Sequence, residues 1–311
     1  MIFKATKENL LKAGELIKAG ETVAFPTETV YGLGASAYNP SAIAKIYAIK
    51  NRPSFNPLIS HIAEVDFLCE YAVTDERVLA LANKFWPGPL TFILKRKDDN
   101  PALDLACAGL NKISVRMPNH PVALALIRAA GVPIVAPSAN KSQTISPTTA
   151  QHVQNSLGDA VPMILDAGAC KVGVESTIID VSEKQIYLLR AGGIALEALE
   201  EFLNEKILIS DGNPNKPSSP GQMLRHYAPK YETRINVTDP LPDEFYIGFG
   251  DMACDLNLSP NGDLQEATAN LFKMMHQAEE QGKKQKIVIA PIPNIGLGRA
   301  INDRIKRASY K

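Results

Sequence analysis

A lysine and an arginine separated by one residue are the first pair in this sequence with a clear chemical use. Lys50 and Arg52 lie in the segment KNRPSFNP, where Pro53 and Pro57 forbid a regular element and stiffen the loop. A fixed lysine supplies a point charge and a fixed arginine a bidentate fork, which together suit a triphosphate. This loop is therefore a candidate phosphate-binding site.

Other polar side chains directly follow segments with strand-like composition. Ser138 and Asn140 come after the predicted strand 134–136, and Arg116 ends the predicted strand 113–116. Ligands of α/β sheets tend to bind in the crevice beyond the strand ends, so these residues are candidates for ligand contact. A hydroxyl and an amide offer donors and acceptors, and an arginine can clamp a carboxylate.

Each motif also has an ordinary structural explanation when it is taken alone. A K-x-R pair in a loop is usually a solvated surface pair, and S-x-N is usually turn chemistry. Glu28, in the run PTETVYGLG, could act as a base, but a structural carboxylate is the more frequent case. Gly32 and Gly34 in the same run allow close approach of the backbone.

The sequence has neither a Walker A motif nor a G-x-S-x-G elbow, which excludes a P-loop and that type of hydrolase. Three histidines outside the motifs are interpreted as ordinary surface or core residues: His120, His152 and His276.

Over the first two hundred residues, helical and strand-like patterns alternate. A helix is predicted from Lys7, with Thr6 as its N-cap and Leu11 on its buried face, and Asn39 should cap a second helix that begins at Pro40. Strands are predicted at 22–25, 58–62, 90–94, 113–116, 134–136, 163–166, 176–181 and 186–189, and further helices at 74–84, 122–130 and 148–156, the last capped by Ser146. The alternation predicts an α/β domain with a mixed sheet over residues 1–207.

A change of composition near residue 208 predicts a linker and a second, smaller domain. The stretch Ser210–Pro229 is rich in proline and polar residues, and the linker is assigned to 208–230. Its last part, Met223–Tyr227, could pack against the second domain or fold over a nucleotide pocket as a lid. Strands at 245–249 and 287–290, with helices at 267–281 and 300–308, predict a small α/β domain over 231–311.

Composition restricts the class of protein. The 311 residues are 45% hydrophobic, and 33 basic residues balance 33 acidic ones, so binding of nucleic acid by bulk charge is disfavoured. Four widely spaced cysteines predict neither a zinc site nor a disulfide framework. Charges in the first twenty residues argue against a signal peptide, and no apolar run is long enough to cross a membrane, so a cytoplasmic location is expected.

Taken together and in order, the motifs resemble one family. PTETVYGLG, KNRP, SVRMP, APSAN, ESTIID and LLRAGG are similar to the YrdC-like threonylcarbamoyl-AMP synthases over about residues 8–200, and HYAP and IGLGRAINDRIKRA resemble the longer, two-domain form. The resemblance implies a YrdC-like catalytic domain with a twisted mixed sheet and a small Rossmann-like C-terminal domain. It also implies that ATP, L-threonine and bicarbonate give threonylcarbamoyl-AMP and pyrophosphate, and that a transferase then uses the product to modify tRNA.

The resemblance assigns roles to the residues that fall on the family's motifs. The expected catalytic residues, at the phosphates and the reacting carbamate, are Lys50, Arg52, Ser138 and Asn140. Further contacts to ATP are expected from Asn56, Ser146, Arg190 and Tyr227, and contacts to threonine from Thr29, His61, Arg116 and Ser176. Asn51 replaces the glycine often found between Lys50 and Arg52, which could alter the geometry of that loop. Magnesium is expected with the triphosphate, held by phosphate and water rather than by a protein cage.

Two other functions share some of these features. A binding module for tRNA or double-stranded RNA could use a basic face, but zero net charge and the lack of an aromatic-rich basic stripe count against it. A carbamoyl-adenylate enzyme of hydrogenase maturation would usually be much longer, with zinc-finger and acylphosphatase segments. Pyrophosphate release that depends jointly on L-threonine and bicarbonate distinguishes the synthase from both.

Overall fold

Two sheets organise the computed structural model, which describes residues 1–97, 101–210, 224–281 and 286–310. The large sheet contains β1 (Ile2–Lys4), β2 (Val23–Phe25), β3 (Gly32–Ser36), β4 (Ile59–His61), β5 (Leu90–Lys95), β6 (Lys112–Arg116), β7 (Ile134–Val135), β8 (Met163–Asp166), β9 (Thr177–Asp180), β10 (Tyr187–Arg190) and β11 (Leu208–Ile209). The small sheet contains β12 (Glu232–Ile235), β13 (Glu244–Gly248), β14 (Leu256–Asn257) and β15 (Lys286–Ile289).

Helices cover both sheets. Those that accompany the large sheet are α1 (Lys7–Lys18), α2 (Pro40–Lys50), α3 (Asp66–Tyr71), α4 (Glu76–Phe85), α5 (Pro101–Ala106), α6 (Pro121–Ala130), α7 (Ala150–Leu157) and α8 (Leu196–Leu203), with a 3-10 turn at Gly158–Ala160. Those of the C-terminal domain are α9 (Leu264–Gln281) and α10 (Gly298–Ala308).

Strand pairing confirms the predicted fold class. The large sheet has the order β1-β8-β2-β3-β7-β4-β6-β5-β9-β10-β11 and mixes parallel with antiparallel pairs, whereas the small sheet, β12-β15-β13-β14, is parallel throughout. The register of β4 against β6 places His61 opposite Arg116, and the antiparallel pairing of β9 and β10 places Arg190 beside Ile178. The sheet therefore gathers the ends of several strands that carry predicted site residues.

The large sheet is buried on both faces, as its alternating side chains show. Val23 and Phe25 of β2 point into a core cluster with α1 and α6, whereas Ala24 between them points into the opposite cluster with α2, α4 and α7. Gly34 of β3 lies where a Cβ atom would come within 2.7 Å of the Phe25 ring and 2.8 Å of Ile134. The close approach expected at this glycine is thus to neighbouring side chains of the core.

Local capping explains where the first helices begin and end. The Thr6 hydroxyl accepts from the amide of Asn9, and the side chain of Asn39 accepts from Ala42, so both predicted N-caps are confirmed. Asn51 ends α2 in the left-handed conformation, with φ of +50°. Asparagine tolerates this conformation better than most residues, which accounts for its presence where glycine is common. Leu11, predicted on the buried face of α1, is 57% exposed, so that prediction is wrong.

Two further predictions need correction. Ser146 does not cap α7, because the helix begins four residues later and Thr149 accepts from the amide of His152 at 3.2 Å. The Ser146 hydroxyl instead donates to Glu175. Leu208–Ile209, assigned to the linker, forms β11 and pairs in parallel with β10. The linker residues 211–223 lie outside the described residues.

The C-terminal domain packs directly on the loops of the large sheet. Its core, which includes Phe272 and Ile305, continues through Tyr227 to Val30 and Val174. Gly173, with φ of +77°, lies against α9 so closely that a Cβ atom would come within 2.5 Å of the Ala269 carbonyl oxygen. The two parts of the chain therefore share one apolar interface, and the polar loops of the large sheet lie beside it.

Within the described residues, none of the helices combines the length and apolar character needed to cross a membrane.

Candidate active site

A cavity at the ends of the central strands collects most of the predicted site residues. Its volume is about 50 Å³. Its wall is formed by Thr27, Thr29, Val30, Gly32, Arg52, Ile59, His61, Arg116, Ala136, Pro137, Ser138, Glu175, Ser176, Arg190, His226 and Tyr227. All four residues expected to contact threonine lie on this wall, together with four of the eight expected to contact ATP: Arg52, Ser138, Arg190 and Tyr227.

Arg116 is held rigidly at one end of the cavity. Its Nε donates to the Gly88 carbonyl oxygen at 3.3 Å and its Nη1 to the Thr29 hydroxyl at 3.0 Å. Nη2 forms an ion pair with the Glu28 carboxylate at 2.7 Å, but the two groups are not aligned as a hydrogen bond, and among the described residues Nη2 has no hydrogen-bond partner. The guanidinium is thus fixed in place and keeps a donor for a ligand, while Glu28 acts as its counterion.

Hydroxyl groups surround Arg116. The Thr29 hydroxyl lies 2.7 Å from that of Thr27, which also donates to the Val30 carbonyl oxygen at 2.7 Å. On another side of the cavity, the Ser176 hydroxyl lies 2.7 Å from that of Thr91. These short hydroxyl pairs fix the direction of each oxygen, so the wall presents oriented donors and acceptors to a small polar ligand.

His61 contributes a neutral ring. Burial and the nearby charge of Arg116 lower the pKa of His61 to about 3, and its Nδ1 lies 3.1 Å from the Ile59 carbonyl oxygen. A carbonyl only accepts, so Nδ1 carries the proton. A buried neutral imidazole can hydrogen-bond to an amino acid without adding a charge to the site.

Lys50 lies behind the wall, bound to the loop that carries the S-x-N motif. Its Nζ donates to the Ser138 carbonyl oxygen at 2.6 Å and to the Asn140 carbonyl oxygen at 2.5 Å. Burial, and then the charge of Arg52, keep the pKa of Lys50 well below its ordinary value. The lysine therefore positions this loop, and its predicted contact with phosphate stays a prediction.

Two buried arginines on the wall lie near one another. Arg52 donates from Nη2 to the Pro57 carbonyl oxygen at 3.0 Å, and Arg190 donates from Nη2 to the Ser176 hydroxyl at 3.1 Å. Burial lowers the pKa of Arg52 to about 10 and also lowers the pKa of Arg190. Two buried guanidinium groups on one wall give it a positive character that suits an anionic ligand.

Three other residues expected at ATP are buried beneath the cavity surface. Asn56 is enclosed in the loop after α2, where its carbonyl oxygen accepts from the Tyr47 hydroxyl at 3.2 Å. The Asn140 amide donates to the Thr144 carbonyl oxygen at 2.9 Å, and the Ser146 hydroxyl is directed to Glu175. In this conformation they shape the loops, and their contact with nucleotide stays a prediction.

Among the described residues that line the cavity, Glu175 is the one carboxylate. Its Oε1 accepts from the Ser146 hydroxyl at 2.5 Å and its Oε2 from Nε of Arg304 at 2.9 Å. Burial alone would raise the pKa of Glu175, but the charges of Arg304 and Arg190 outweigh it and lower the pKa to about 2. The motifs ESTIID and IGLGRAINDRIKRA contain Glu175 and Arg304, but they gave no role to either residue, and the two lie 129 residues apart in the chain.

The end of the linker closes the cavity. The rings of His226 and Tyr227 lie 3.9 Å apart between centroids, tilted by 58°, and both residues line the wall. Tyr227 also contacts Phe272 of α9 at 5.4 Å between centroids, so this cluster packs against the C-terminal domain and the cavity at once. The packing against the second domain is therefore observed for Tyr227, and its part as a lid over a nucleotide stays a prediction. His226 was not predicted as a site residue, and its place directly before Tyr227 was the available signal.

The donor set does not fit a metal held by the protein. Across the described ranges, no three histidine, cysteine, aspartate or glutamate side chains are grouped as metal ligands. Glu28 and Glu175, the carboxylates nearest the cavity, are ion-paired with Arg116 and Arg304. A divalent cation at this site would have to arrive bound to its anionic ligand.

Comparison with known proteins identifies the family. A model described as "Telomere recombination" matches residues 15–192, and one described as "Threonylcarbamoyl-AMP synthase, C-terminal domain" matches residues 194–309. The threonylcarbamoyl-AMP synthase of Bacillus subtilis strain 168 is 38% identical, covering 96% of this chain and 92% of that protein. The chain belongs to the threonylcarbamoyl-AMP synthase family.

Two further comparisons, both with Pyrococcus abyssi, extend the family likeness and include a solved structure. The threonylcarbamoyl-AMP synthase of Pyrococcus abyssi is 36% identical over 96% of this chain and 93% of its own length. The crystal structure of P. abyssi Sua5 complexed with L-threonine superposes with a TM-score of 0.90, covering 99% of this chain and 96% of that one at 36% identity. The two-domain form and the mixed α/β architecture expected from the motifs are thus confirmed.

Proposed function

We propose that this protein condenses L-threonine, bicarbonate and ATP to threonylcarbamoyl-AMP and pyrophosphate. One observation carries the proposal: a single cavity combines a rigid arginine with an available donor, Arg116, with two further buried arginines, Arg52 and Arg190. The first suits the carboxylate of an amino acid, and the other two suit phosphate. Membership of the family, and the L-threonine bound to the similar P. abyssi structure, support the same substrates.

In the proposed reaction, bicarbonate first loses hydroxide to give carbon dioxide, and the threonine nitrogen forms a bond to its carbon. The proton that the nitrogen loses joins the hydroxide as water, which leaves a carbamate. A carbamate oxygen then attacks the α-phosphorus of ATP, the bond to the β-phosphate oxygen breaks, and pyrophosphate leaves with that electron pair. Arg116 and Thr29 would hold the threonine carboxylate. Arg52 and Arg190 would hold phosphate oxygens, and Lys50 would fix the Ser138–Asn140 loop between the two ligands. Catalysis then consists of alignment and charge neutralisation.

The closed cavity suits an unstable intermediate. Carbamates and mixed anhydrides hydrolyse readily, so exclusion of water favours product formation. The cavity of about 50 Å³ is far smaller than a typical ligand site of roughly 300–1,000 Å³, so part of the wall must move to admit ATP. The same enclosure argues against a module that binds double-stranded RNA, because the arginines face inward. Magnesium would enter with the nucleotide as part of the substrate, and the product would pass to a separate tRNA-modifying transferase.

The test is pyrophosphate release from ATP with each substrate omitted in turn. We expect release to require both L-threonine and bicarbonate, and mass spectrometry to detect threonylcarbamoyl-AMP. Release without threonine would indicate a different adenylate-forming reaction. Retention of structured RNA with no release of pyrophosphate would favour the binding module.

A further inference from the structure

Arg304 lies in the C-terminal domain, yet its contacts reach the cavity wall. It belongs to α10 and is completely buried. Its Nε donates to Glu175 at 2.9 Å, and its Nη1 donates to Asp303 at 2.6 Å. Arg304 itself is absent from the cavity wall, so any effect on a ligand passes through the residues that it holds.

Arg304 also contacts the aromatic ring of Tyr227. The guanidinium carbon lies 5.1 Å from the ring centroid, within the range of a cation–π interaction. In the described part of the chain Nη2 has no hydrogen-bond partner. Tyr227 has φ of +61°, a conformation that a bulky residue adopts only when its surroundings fix it. Arg304 is one of those surroundings, and the adjacent Ala228 is held by a backbone hydrogen bond to Gln143 at 2.8 Å.

The contact with Glu175 has an electrostatic consequence. Glu175 lies on the wall of a cavity that should receive a polyphosphate, and an uncompensated negative charge there would repel that ligand. Arg304 neutralises Glu175 through an ion pair, so this carboxylate opposes an anionic ligand less. Removal of one partner from a buried ion pair leaves the other charge uncompensated, so the loss of Arg304 should be costly at the site.

We propose that Arg304 is a positioning residue of the nucleotide site, which fixes Tyr227 and neutralises Glu175 when the C-terminal domain is docked. The proposal rests on the proposed function, since it assumes that the nucleotide occupies this side of the cavity. It gives the C-terminal domain a direct part in nucleotide binding.

The chain offers a matched control for this residue. Arg299 precedes Arg304 in the same helix, α10, and also bridges the two domains. Its Nη2 donates to Glu197 at 2.8 Å on the surface. Neither Arg299 nor Glu197 lines the cavity. A change at Arg299 therefore removes an interdomain ion pair without a change at the site.

The experiment measures ATP and threonine dependence separately in Arg304→Met, Arg304→Lys and Arg299→Met. We expect Arg304→Met to raise KM for ATP and the Kd of a non-hydrolysable ATP analogue by about tenfold or more, the loss of one moderate interaction. KM for threonine should stay within about twofold, since no interaction with that ligand is removed. Arg304→Lys keeps the charge without the fork, so its KM for ATP and its analogue Kd should lie between those of Arg304→Met and the unaltered protein. In Arg299→Met both constants should match those of the unaltered protein.

A rescue variant separates positioning from a general structural effect. In R304M/E175Q the uncompensated carboxylate is gone, so the double variant should bind the ATP analogue more tightly than Arg304→Met alone. Equal ATP affinity in Arg304→Met and Arg299→Met, or equal loss for ATP and threonine, would overturn the proposal. Should Arg304→Met not fold, unaltered ATP affinity in Arg304→Lys would overturn it. Pyrophosphate release independent of threonine in the unaltered protein would count against the proposed function, while the analogue Kd values would still decide the role of Arg304.

Discussion

Lys50 is bound to the backbone of Asn140 by a hydrogen bond of 2.5 Å, from Nζ to the carbonyl oxygen. The lysine ends α2, and the asparagine lies in the loop after β7, ninety residues further along the chain. The two motifs of basic and polar residues are therefore one structural unit. The charge of Lys50 acts first on the loop that should face the nucleotide.

Lys50→Ala should therefore damage catalysis through the loop as well as through charge. We expect kcat/KM for ATP to fall by about 10²–10³-fold, the usual result of removing one charge-stabilising donor, and Arg52→Ala to act similarly. Threonine binding without nucleotide should change little. Steady-state pyrophosphate release measures the first effect and calorimetry the second. Lys45→Ala is the control, because this lysine of the same helix pairs with Glu21 at the surface. Activity of Lys50→Ala equal to that of Lys45→Ala would show that the lysine is not required.

Arg116→Lys should weaken threonine binding although the charge is conserved. The fork of Arg116 contacts Gly88 and Thr29 while it keeps Nη2 for a ligand, and an ammonium group cannot reproduce that geometry. We expect KM for threonine to rise by about 10–100-fold, a loss of roughly 1.5–3 kcal/mol for a hydrogen bond to a charged group. Arg128→Lys, at an exposed pair with Glu64, should have no effect. A similar threonine KM in both variants would contradict this assignment.

Amino-acid choice should depend on the hydroxyl of the substrate more than on its methyl group. The cavity wall presents oriented hydroxyls at Thr29 and Ser176, which a substrate hydroxyl could satisfy. Valine would leave a buried polar group unpaired, a loss that can reach about 10⁴-fold, whereas serine lacks one methyl, worth about 1–3 kcal/mol. Amino-acid-dependent pyrophosphate release with threonine, serine and valine measures the ratio. Comparable kcat/KM for valine and threonine would rule out a site of this design.

The sequence predicted the strands of the catalytic domain better than the details of its loops. Caps such as Thr6 and Asn39 are local, so the residue type is enough to predict them. Ser146 also looked like a cap, but a buried carboxylate distant in sequence competes for its hydroxyl. Short strands such as β1 exist because the edge of the sheet is available for pairing, which no local pattern encodes.

The same distinction applies to the site. His61 and Arg116 reach one cavity because they end the adjacent strands β4 and β6. Thr29 follows β2 and Ser176 directly precedes β9, and both also line this cavity. Arg304 could not be predicted, because its role depends on how the C-terminal domain docks. A buried arginine on the amphipathic helix α10 has no signal in the sequence until its partner Glu175 is known.

A stacked histidine pair at the domain interface should make the fold sensitive to acid. The rings of His152 and His276 lie 3.8 Å apart, and His276 donates from Nε2 to the Ser146 carbonyl oxygen at 3.1 Å. Burial lowers the pKa of His276 from its ordinary 6.5 to about 4, and burial together with His276 lowers that of His152 to about 3. Between pH 6.5 and 4 the unfolded chain thus binds more protons than the folded one. The contribution of these rings to the free energy of unfolding is fully present above pH 6.5. It is lost as the pH drops towards 4, by on the order of 1 kcal/mol per pH unit for each ring.

His276→Gln should reduce this loss, because glutamine keeps a donor and does not titrate. Urea denaturation at pH 7.5 and pH 5 measures the change in the free energy of unfolding for each protein. We expect the variant to lose less stability between the two pH values than the unaltered protein. An identical loss in both would mean that other groups account for the acid sensitivity.

Gly173→Ala should weaken the contact between the two domains without changing any side chain of the cavity wall. A Cβ atom at this position would lie 2.5 Å from the carbonyl oxygen of Ala269 in α9, and φ of +77° adds backbone strain for any other residue. Gly109 has nearly the same φ, +74°, with nothing within 4 Å of an added Cβ atom, so Gly109→Ala carries the strain alone. That strain should cost about 1–2 kcal/mol of unfolding free energy in both variants. The additional loss of unfolding free energy in Gly173→Ala then measures the contact between the domains.

Since α9 and α10 hold Tyr227 at the cavity wall, KM for ATP should rise in Gly173→Ala and stay unchanged in Gly109→Ala. Equal stability and equal ATP dependence in the two variants would mean that close docking at Gly173 is not needed to assemble the nucleotide site.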